Sequence, residues 1–192
     1  MASTLDDLTW PARTSRLLIR RSGADDIAPT WERYRHRESI RKWLSGGDHD
    51  FAAYTAKYDD PVRMSSTLII EHDGEIVGDL MLRLGDVWAQ APESLQDRPR
   101  QAELGWCLSP EVQGRGFAYE AARELVRISF DGLGLHRVTA VCFTDNTPSW
   151  KLMEKLGMRR ESHSRKDSLH SSGEWLDSYS YAMLAEEWRA QG

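Results

Sequence analysis

A strand, a glycine-rich turn and a helix follow one another directly in the middle of the chain, and this order restricts the fold more than any other segment. The strand covers residues 103–108 (ELGWCL), the turn covers 112–116 (VQGRG), and the helix begins at Phe117. Glycines in such a turn allow close approach to the backbone, and a helix N-terminus presents unpaired N–H groups and positive charge. The segment therefore predicts an anion site, most naturally for phosphate.

The rest of the chain predicts an α/β fold with one mixed sheet and helices on its faces. Strands are predicted over 16–20, 67–71, 75–83, 103–108, 136–143, 158–161 and 179–184, and helices over 24–44, 51–58, from 117 and over 147–157. Thr147, Pro148 and Gly157 suit the cap, the first position and the end of the last helix. Polar loops are expected over 85–101 and between the last two strands. We expect one domain over 1–192, with residues 1–13 flexible.

Composition excludes several classes of protein. The 192 residues carry a net charge of −5, which argues against nonspecific nucleic-acid binding. No apolar run approaches the ~18 residues of a membrane span, and the N-terminus lacks the features of a signal peptide. A cytoplasmic protein is therefore expected. Cys107 and Cys142 lie in apolar runs and are expected to be buried free thiols.

Two familiar phosphate motifs do not fit the turn. A P-loop requires Lys followed by Ser or Thr after the second glycine, and these residues are absent. A dinucleotide fingerprint requires Gly or Ala where this chain has Tyr119, and no early βαβ unit surrounds the turn.

A third pattern, Q-x-x-G-x-A at Gln113, Gly116 and Ala118, resembles the GNAT superfamily of acyl-CoA N-acyltransferases. Segment 145–150 belongs to the same resemblance. Segments 14–20, 156–161, 173–177, 181–184 and 187–188 resemble the branch of the ribosomal-protein N-terminal alanine acetyltransferases (RimJ/RimL-like). The resemblance covers about Thr14 to Trp188. It implies a GNAT fold, with a largely antiparallel sheet splayed between its central strands, and acetyl-CoA as the acyl donor. We expect the splay to begin after Trp106.

The resemblance also implies which residues bind coenzyme A. Gln113 belongs to the motif, and Leu108 and Asn146 fall where the backbone and side chain contact the pantetheine arm. The pyrophosphate would be held by the backbone N–H groups of the turn and by the Arg115 side chain. The backbone positions are Gly114, Arg115, Gly116, Phe117 and Ala118.

The expected chemistry is direct attack of an amine on the thioester, without a covalent enzyme intermediate or a metal. Many members of the superfamily have a Tyr where this chain has Met153, so the usual proton donor is missing. Ser149, in the first turn of the same helix, could bind the cofactor sulfur instead. Glu103 shares a strand face with Gly105 and Cys107, and its carboxylate could accept the amine proton through water.

The acceptor amine stays open at the sequence level. The resemblance favours a protein or peptide N-terminus. A small amine of the aminoglycoside or polyamine type is an alternative, and a CoA-binding sensor without turnover is a third possibility. Dimers are common in the branch, so a homodimer is a further expectation.

Overall fold

The computed structural model describes residues 4–44, 49–90 and 100–191. Within these ranges eight strands form a single sheet in the order β1-β2-β3-β4-β5-β6-β8-β7. The strands are β1 (Ala12–Arg13), β2 (Leu18–Arg21), β3 (Thr67–His72), β4 (Glu75–Gly85), β5 (Gln101–Leu108), β6 (Arg137–Phe143), β7 (Arg159–Leu169) and β8 (Trp175–Leu184). All neighbours are antiparallel except β5 and β6, so the predicted mixed, largely antiparallel sheet is confirmed.

Helices lie on both faces of the sheet. The α-helices are α1 (Ile27–Thr30), α2 (Glu38–Arg41), α3 (Phe51–Ala56), α4 (Pro61–Ser66), α5 (Phe117–Arg127), α6 (Thr147–Lys155) and α7 (Ala185–Arg189). One face of the sheet carries α5 and α6 over the main hydrophobic core, where Leu80, Leu104, Leu125 and Met153 are almost completely buried. The opposite face carries the segment around α1 and α2, with a smaller cluster at Tyr34, Ile40 and Cys107.

The sequence predicts one helix over 24–44, whereas the structure divides this segment. A 3-10 turn (Ala24–Asp26) leads into α1, a π-helical turn covers Trp31–Arg35, and α2 follows an extended residue at Arg37. Tyr34 and Arg35, two successive residues of the π turn, are both buried.

The polar loop predicted between the last two strands is wrong, because these residues extend a β-hairpin. Strand β7 continues to Leu169 and β8 begins at Trp175. Most of β7 is exposed, so its sequence lacks the apolar alternation that identifies a half-buried strand. The loop predicted over 85–101 lies largely outside the described residues, since 91–99 are not described.

The sheet splays earlier than expected. β5 pairs with β6 only from Gln101 to Glu103, opposite Arg137 to Thr139, and not up to Trp106. The edge of β5 facing β6 is therefore unpaired for the rest of its length. Near the N-terminus, in the segment 1–13 that the sequence predicts to be flexible, Leu5 is buried and Ala12 pairs with Ile19.

Candidate functional site

A cavity of about 660 Å³ lies where β5 and β6 separate, and its walls come from both faces of the sheet. On the α5 and α6 face it is lined by the glycine turn and the start of α6, and we call this part the turn arm. It contains Val112, Gln113, Gly114, Gly116, Asn146 and Ser149. On the other face lies a part that we call the charged arm. It contains Arg35, Asp60, Arg63, Asp79, Arg83 and Glu103.

The turn arm presents backbone rather than side chains. Gly114 and Gly116 have φ values of +75° and +83°, which favour glycine, and Gly116 is the N-cap of α5. Glu120 N–H donates to the Gly116 carbonyl at 3.1 Å, in the first hydrogen bond of the helix. The N–H groups of residues 117–119 therefore have no acceptor within the helix. This cradle fits an anionic group such as a pyrophosphate.

Two arginine side chains lie beside the cradle, and one of them, Arg16, is paired with Glu120. The guanidinium carbons of Arg115 and Arg16 lie 4.7 Å and 4.5 Å from the centre of the Phe117 ring. Arg16 is held by Glu120, with an Nε–Oε2 distance of 2.7 Å, and it donates from Nη1 to the Arg115 carbonyl at 3.0 Å. The sequence indicates Arg115 but gives no signal for Arg16, which is 99 residues away in the chain.

The end of β5 is attached to the turn by Gln113. Its Nε2 donates to the Leu108 carbonyl at 3.1 Å, and Leu108 pairs with Gly78 on the β4 side. Gln113 thus fixes the turn against the strand. The unpaired edge of β5 after Glu103 offers backbone groups along which an extended ligand arm could lie.

The start of α6 lies on the other side of the split. Asn146, not Thr147, occupies the N-cap position, and its side chain makes no capping hydrogen bond. The amide of Asn146 is thereby left to line the cavity. Ser149 also lines it. Burial raises the pKa of Cys142.

Glu103 lies in the charged arm, on the face predicted for it. The antiparallel register places Arg83 opposite Glu103, Met81 opposite Gly105, and Asp79 opposite Cys107. The Arg83 guanidinium binds the Glu103 carboxylate directly. Glu103 and Ser149 therefore line the same cavity from opposite faces of the sheet, with Glu103 already ion-paired.

Behind Glu103 lies a buried polar cluster that the sequence does not indicate. Arg35 Nε donates to Asp79 Oδ2 at 2.9 Å, and the Tyr34 hydroxyl donates to the same oxygen at 2.7 Å. Burial raises the pKa of the Cys107 thiol to about 12, so this thiol remains protonated at neutral pH. Both cysteines are buried free thiols, as predicted.

Trp43 lines the charged arm and lies close to two further aromatic rings. Trp43, just after α2, lies 6.4 Å from Phe143 and 6.2 Å from His170, between ring centres. His170 Nε2 lies 2.8 Å from the Lys42 carbonyl. The turn between β7 and β8 is thereby attached to the end of α2.

Among the described residues, no group of three or more His, Cys, Asp or Glu side chains could hold a metal ion. None of the helices in 4–44, 49–90 and 100–191 has both the length and the apolar character needed to cross a membrane.

Comparisons with known proteins agree with this geometry. The family model for the acetyltransferase (GNAT) domain matches residues 16–159. The uncharacterized N-acetyltransferase YnaD of Bacillus subtilis (strain 168) is 30% identical over 180 residues, covering 91% of this chain and 97% of that protein. The [ribosomal protein uS5]-alanine N-acetyltransferase of Escherichia coli (strain K12) is 29% identical over 85 residues, covering 44% and 43%. The crystal structure of a GNAT-family acetyltransferase from Bacillus anthracis superposes with a TM-score of 0.76 at 28% identity, covering 92% and 99%.

Proposed function

Because the chain belongs to the GNAT acetyltransferase family, it is an acetyl-CoA-dependent N-acetyltransferase, and we propose that its acceptor is the α-amino group of a protein or peptide N-terminus. The observation that carries this proposal is the state of the charged arm. The charge of the Glu103 carboxylate is compensated by the Arg83 guanidinium, and the raised pKa of Cys107 keeps its thiol protonated, so neither group is a strong base. Such a site removes a proton from an α-amino group, with a pKa of about 7.7–8.0, more readily than from a lysine-like amine near 10.4.

We assign cofactor binding to the turn arm. The backbone N–H groups of Gly114, Arg115, Gly116, Phe117 and Ala118 would hold the pyrophosphate of acetyl-CoA, with the Arg115 side chain adding charge. Gln113 positions the turn. The backbone of Leu108 and the side chain of Asn146 would hold the pantetheine arm.

We assign the proton transfers to Glu103 and Ser149. The amine nitrogen forms a bond to the acetyl carbon as the bond from that carbon to sulfur breaks. Glu103 takes the proton of the amine through water. The Ser149 hydroxyl, which lines the cavity, donates to the departing sulfur, and the N-terminus of α6 stabilises the thiolate. Because the pKa of a thiol is near 8.5, the thiolate can leave without a dedicated acid. This agrees with the presence of Met153, which has no proton to donate, at the position of the usual tyrosine.

Release of free CoA thiol tests the acceptor class. The purified protein is mixed with acetyl-CoA and with peptides having N-terminal Ala or Ser, spermidine, or an aminoglycoside, and each product is identified by mass. We expect the peptides to give thiol release and a single acetyl group on the N-terminus. Efficient acetylation of spermidine or the aminoglycoside, with every peptide refused, would overturn the N-terminal assignment.

The same assay distinguishes an enzyme from a sensor. If acetyl-CoA raises the melting temperature but no amine causes release of the CoA thiol, the protein binds CoA without turnover. Support for the N-terminal acceptor also comes from the similarity to the [ribosomal protein uS5]-alanine N-acetyltransferase, whose name states this class of acceptor.

A further inference from the structure

Arg63 is a cation of the charged arm with no ion-pair partner among the described residues. Arg35 is paired with Asp79 and Arg83 with Glu103, so the charges of these two arginines are compensated. Arg63, on α4, lines the same cavity next to Ser66 and Thr67. No carboxylate in residues 4–44, 49–90 and 100–191 forms a salt bridge with it. Its guanidinium carbon lies 5.4 Å from the centre of the Tyr58 ring.

The Nε–H of Arg63 is also without an acceptor. The Nε atom is buried, and it makes no hydrogen bond within the described residues. Asp60 lines the cavity too, but its carboxylate accepts the N–H of Val62 at 2.9 Å at the start of α4. A buried donor on a charged group costs free energy until it is paired. Among the described residues, the Arg63 guanidinium therefore has neither a carboxylate partner nor an acceptor for its Nε–H.

We propose that Arg63 binds a carboxylate of the acceptor molecule, so that the enzyme prefers α-amines carrying a nearby negative charge. A guanidinium pairs with a carboxylate through two parallel N–H donors, and the Nε–H of Arg63 has no acceptor among the described residues. The aromatic face of Tyr58 supports the guanidinium from the side. A polyamine would instead bring positive charge next to Arg63.

This proposal rests on the proposed function and narrows its acceptor class. The carboxylate has two possible sources: the acidic side chain of a residue next to a peptide N-terminus, or the α-carboxylate of a free amino acid. Both place an anion a few bonds from the attacking nitrogen, and both meet the same guanidinium.

Matched acceptor pairs test the proposal. The values of kcat/KM are measured for the peptide amides Ser-Glu-Ala and Ser-Gln-Ala, and for free serine and serinamide, with wild type and Arg63→Gln. We expect wild type to prefer the charged member of at least one pair by about tenfold or more, mainly through a lower KM. Arg63→Gln should lose this preference and leave the neutral acceptor within about twofold. The pair that shows the preference identifies the source of the carboxylate.

Control variants keep the test specific. Arg33→Gln removes an arginine that pairs with Glu75 outside the cavity, and it should preserve the preference. Arg63→Lys keeps the charge but loses the two-donor geometry, and it should retain part of the preference. Equal losses for charged and neutral acceptors in Arg63→Gln would overturn the carboxylate site, as would a wild type without any preference.

The outcome is separable from that of the proposed function. If peptide amides are acetylated without regard to charge, the N-terminal acetyltransferase stands and the Arg63 site fails. If no α-amine is acetylated although acetyl-CoA raises the melting temperature, the acceptor assignment itself fails.

Discussion

Glu103 is bound to Arg83, and this pairing defines the kind of base it can be. The Arg83 guanidinium compensates the charge of the Glu103 carboxylate and holds it at the cavity wall. Such a group suits an amine that is already partly neutral at working pH. In the proposed mechanism Ser149 has a similarly limited role, as a hydroxyl that lines the cavity near the departing sulfur. At the residue scale, the proposed mechanism depends more on placement than on strong acids or bases.

Replacing Glu103 tests its role as the base. We expect Glu103→Gln to lower kcat/KM by at least about tenfold, with the rise of the rate moved to higher pH, toward the ionisation of the free amine. The measurement is kcat/KM from pH 6 to pH 10. Glu161→Gln is the matched control, because Glu161 also pairs with arginines, Arg137 and Arg159, but does not line the cavity. If the pH profile of kcat/KM for Glu103→Gln coincides with that of wild type, Glu103 is not the base, and catalysis rests on the positioning of the two substrates.

At the scale of elements, the turn before α5 and the split between β5 and β6 act together. The turn supplies unpaired N–H groups at one end of the cavity, and the split leaves the edge of β5 that faces β6 unpaired after Glu103. Gln113 connects the two elements through the Leu108 carbonyl. A long anionic cofactor could therefore bind through backbone groups from its phosphates to its thioester.

A negative charge in the turn should prevent this binding. Acetyl-CoA at 100 times its dissociation constant stabilises a protein by about 2.7 kcal/mol, which corresponds to about 5–10 °C in Tm for a domain of this size. We expect Gly116→Asp to abolish the shift, since the carboxylate occupies the phosphate cradle. Gly173→Asp is the control: it has a similar φ of +85°, against +83° for Gly116, and an open environment in the turn between β7 and β8. A full Tm shift in a folded Gly116→Asp protein would refute the phosphate site.

On the scale of the whole molecule, buried and partly buried charge pairs join segments that are distant in the chain. Arg35 and Asp79 attach the helical layer to β4. Glu120 on α5 accepts hydrogen bonds from Thr14, Ser15 and Arg16, and so attaches the start of the domain to the helix behind the cradle. Burial by itself would raise the pKa of Glu120, but these hydrogen bonds together lower it from 4.5 to about 2.

This lowered pKa predicts a pH-dependent contribution to stability. A carboxylate with a folded pKa below its unfolded pKa stabilises the protein above pH ~4.5, and the effect disappears as pH falls toward 2. We expect Glu120→Gln to lower the free energy of unfolding by about 2 kcal/mol at pH 7, with the difference from wild type shrinking below pH 4.5. Urea unfolding at several pH values measures it.

Glu124→Gln serves as the control for this experiment. Glu124 pairs with Arg127 one turn away on the same helix, and such an i,i+3 pair attaches no distant segment, so its loss should cost no more than about 0.5 kcal/mol. A pH-independent difference between Glu120→Gln and wild type would contradict the assignment of the shifted carboxylate.

The sequence by itself determined the features that depend on neighbouring residues. The strand, glycine turn and α5 follow from local backbone preferences, and α6 ends as predicted, with Gly157 at φ +85° and Met158 N–H donating to the Met153 carbonyl. Alternation along β5 correctly placed Glu103 on the face of Cys107. These features need only the periodicity of strands and helices and the freedom of glycine, which short segments carry in full.

Only the tertiary structure decided which residues, distant in the chain, lie close together in the fold. Arg16 beside Arg115, Asp79 beside Arg35, and Arg63 in the same cavity as Glu103 each join residues far apart in the chain. The same is true of the point where β5 leaves β6, and of the polar hairpin of β7 and β8 that sequence patterning assigned to a loop. These arrangements depend on strand order, register and the face that each segment presents. They are fixed by the combined packing of the whole domain, and no single segment encodes them.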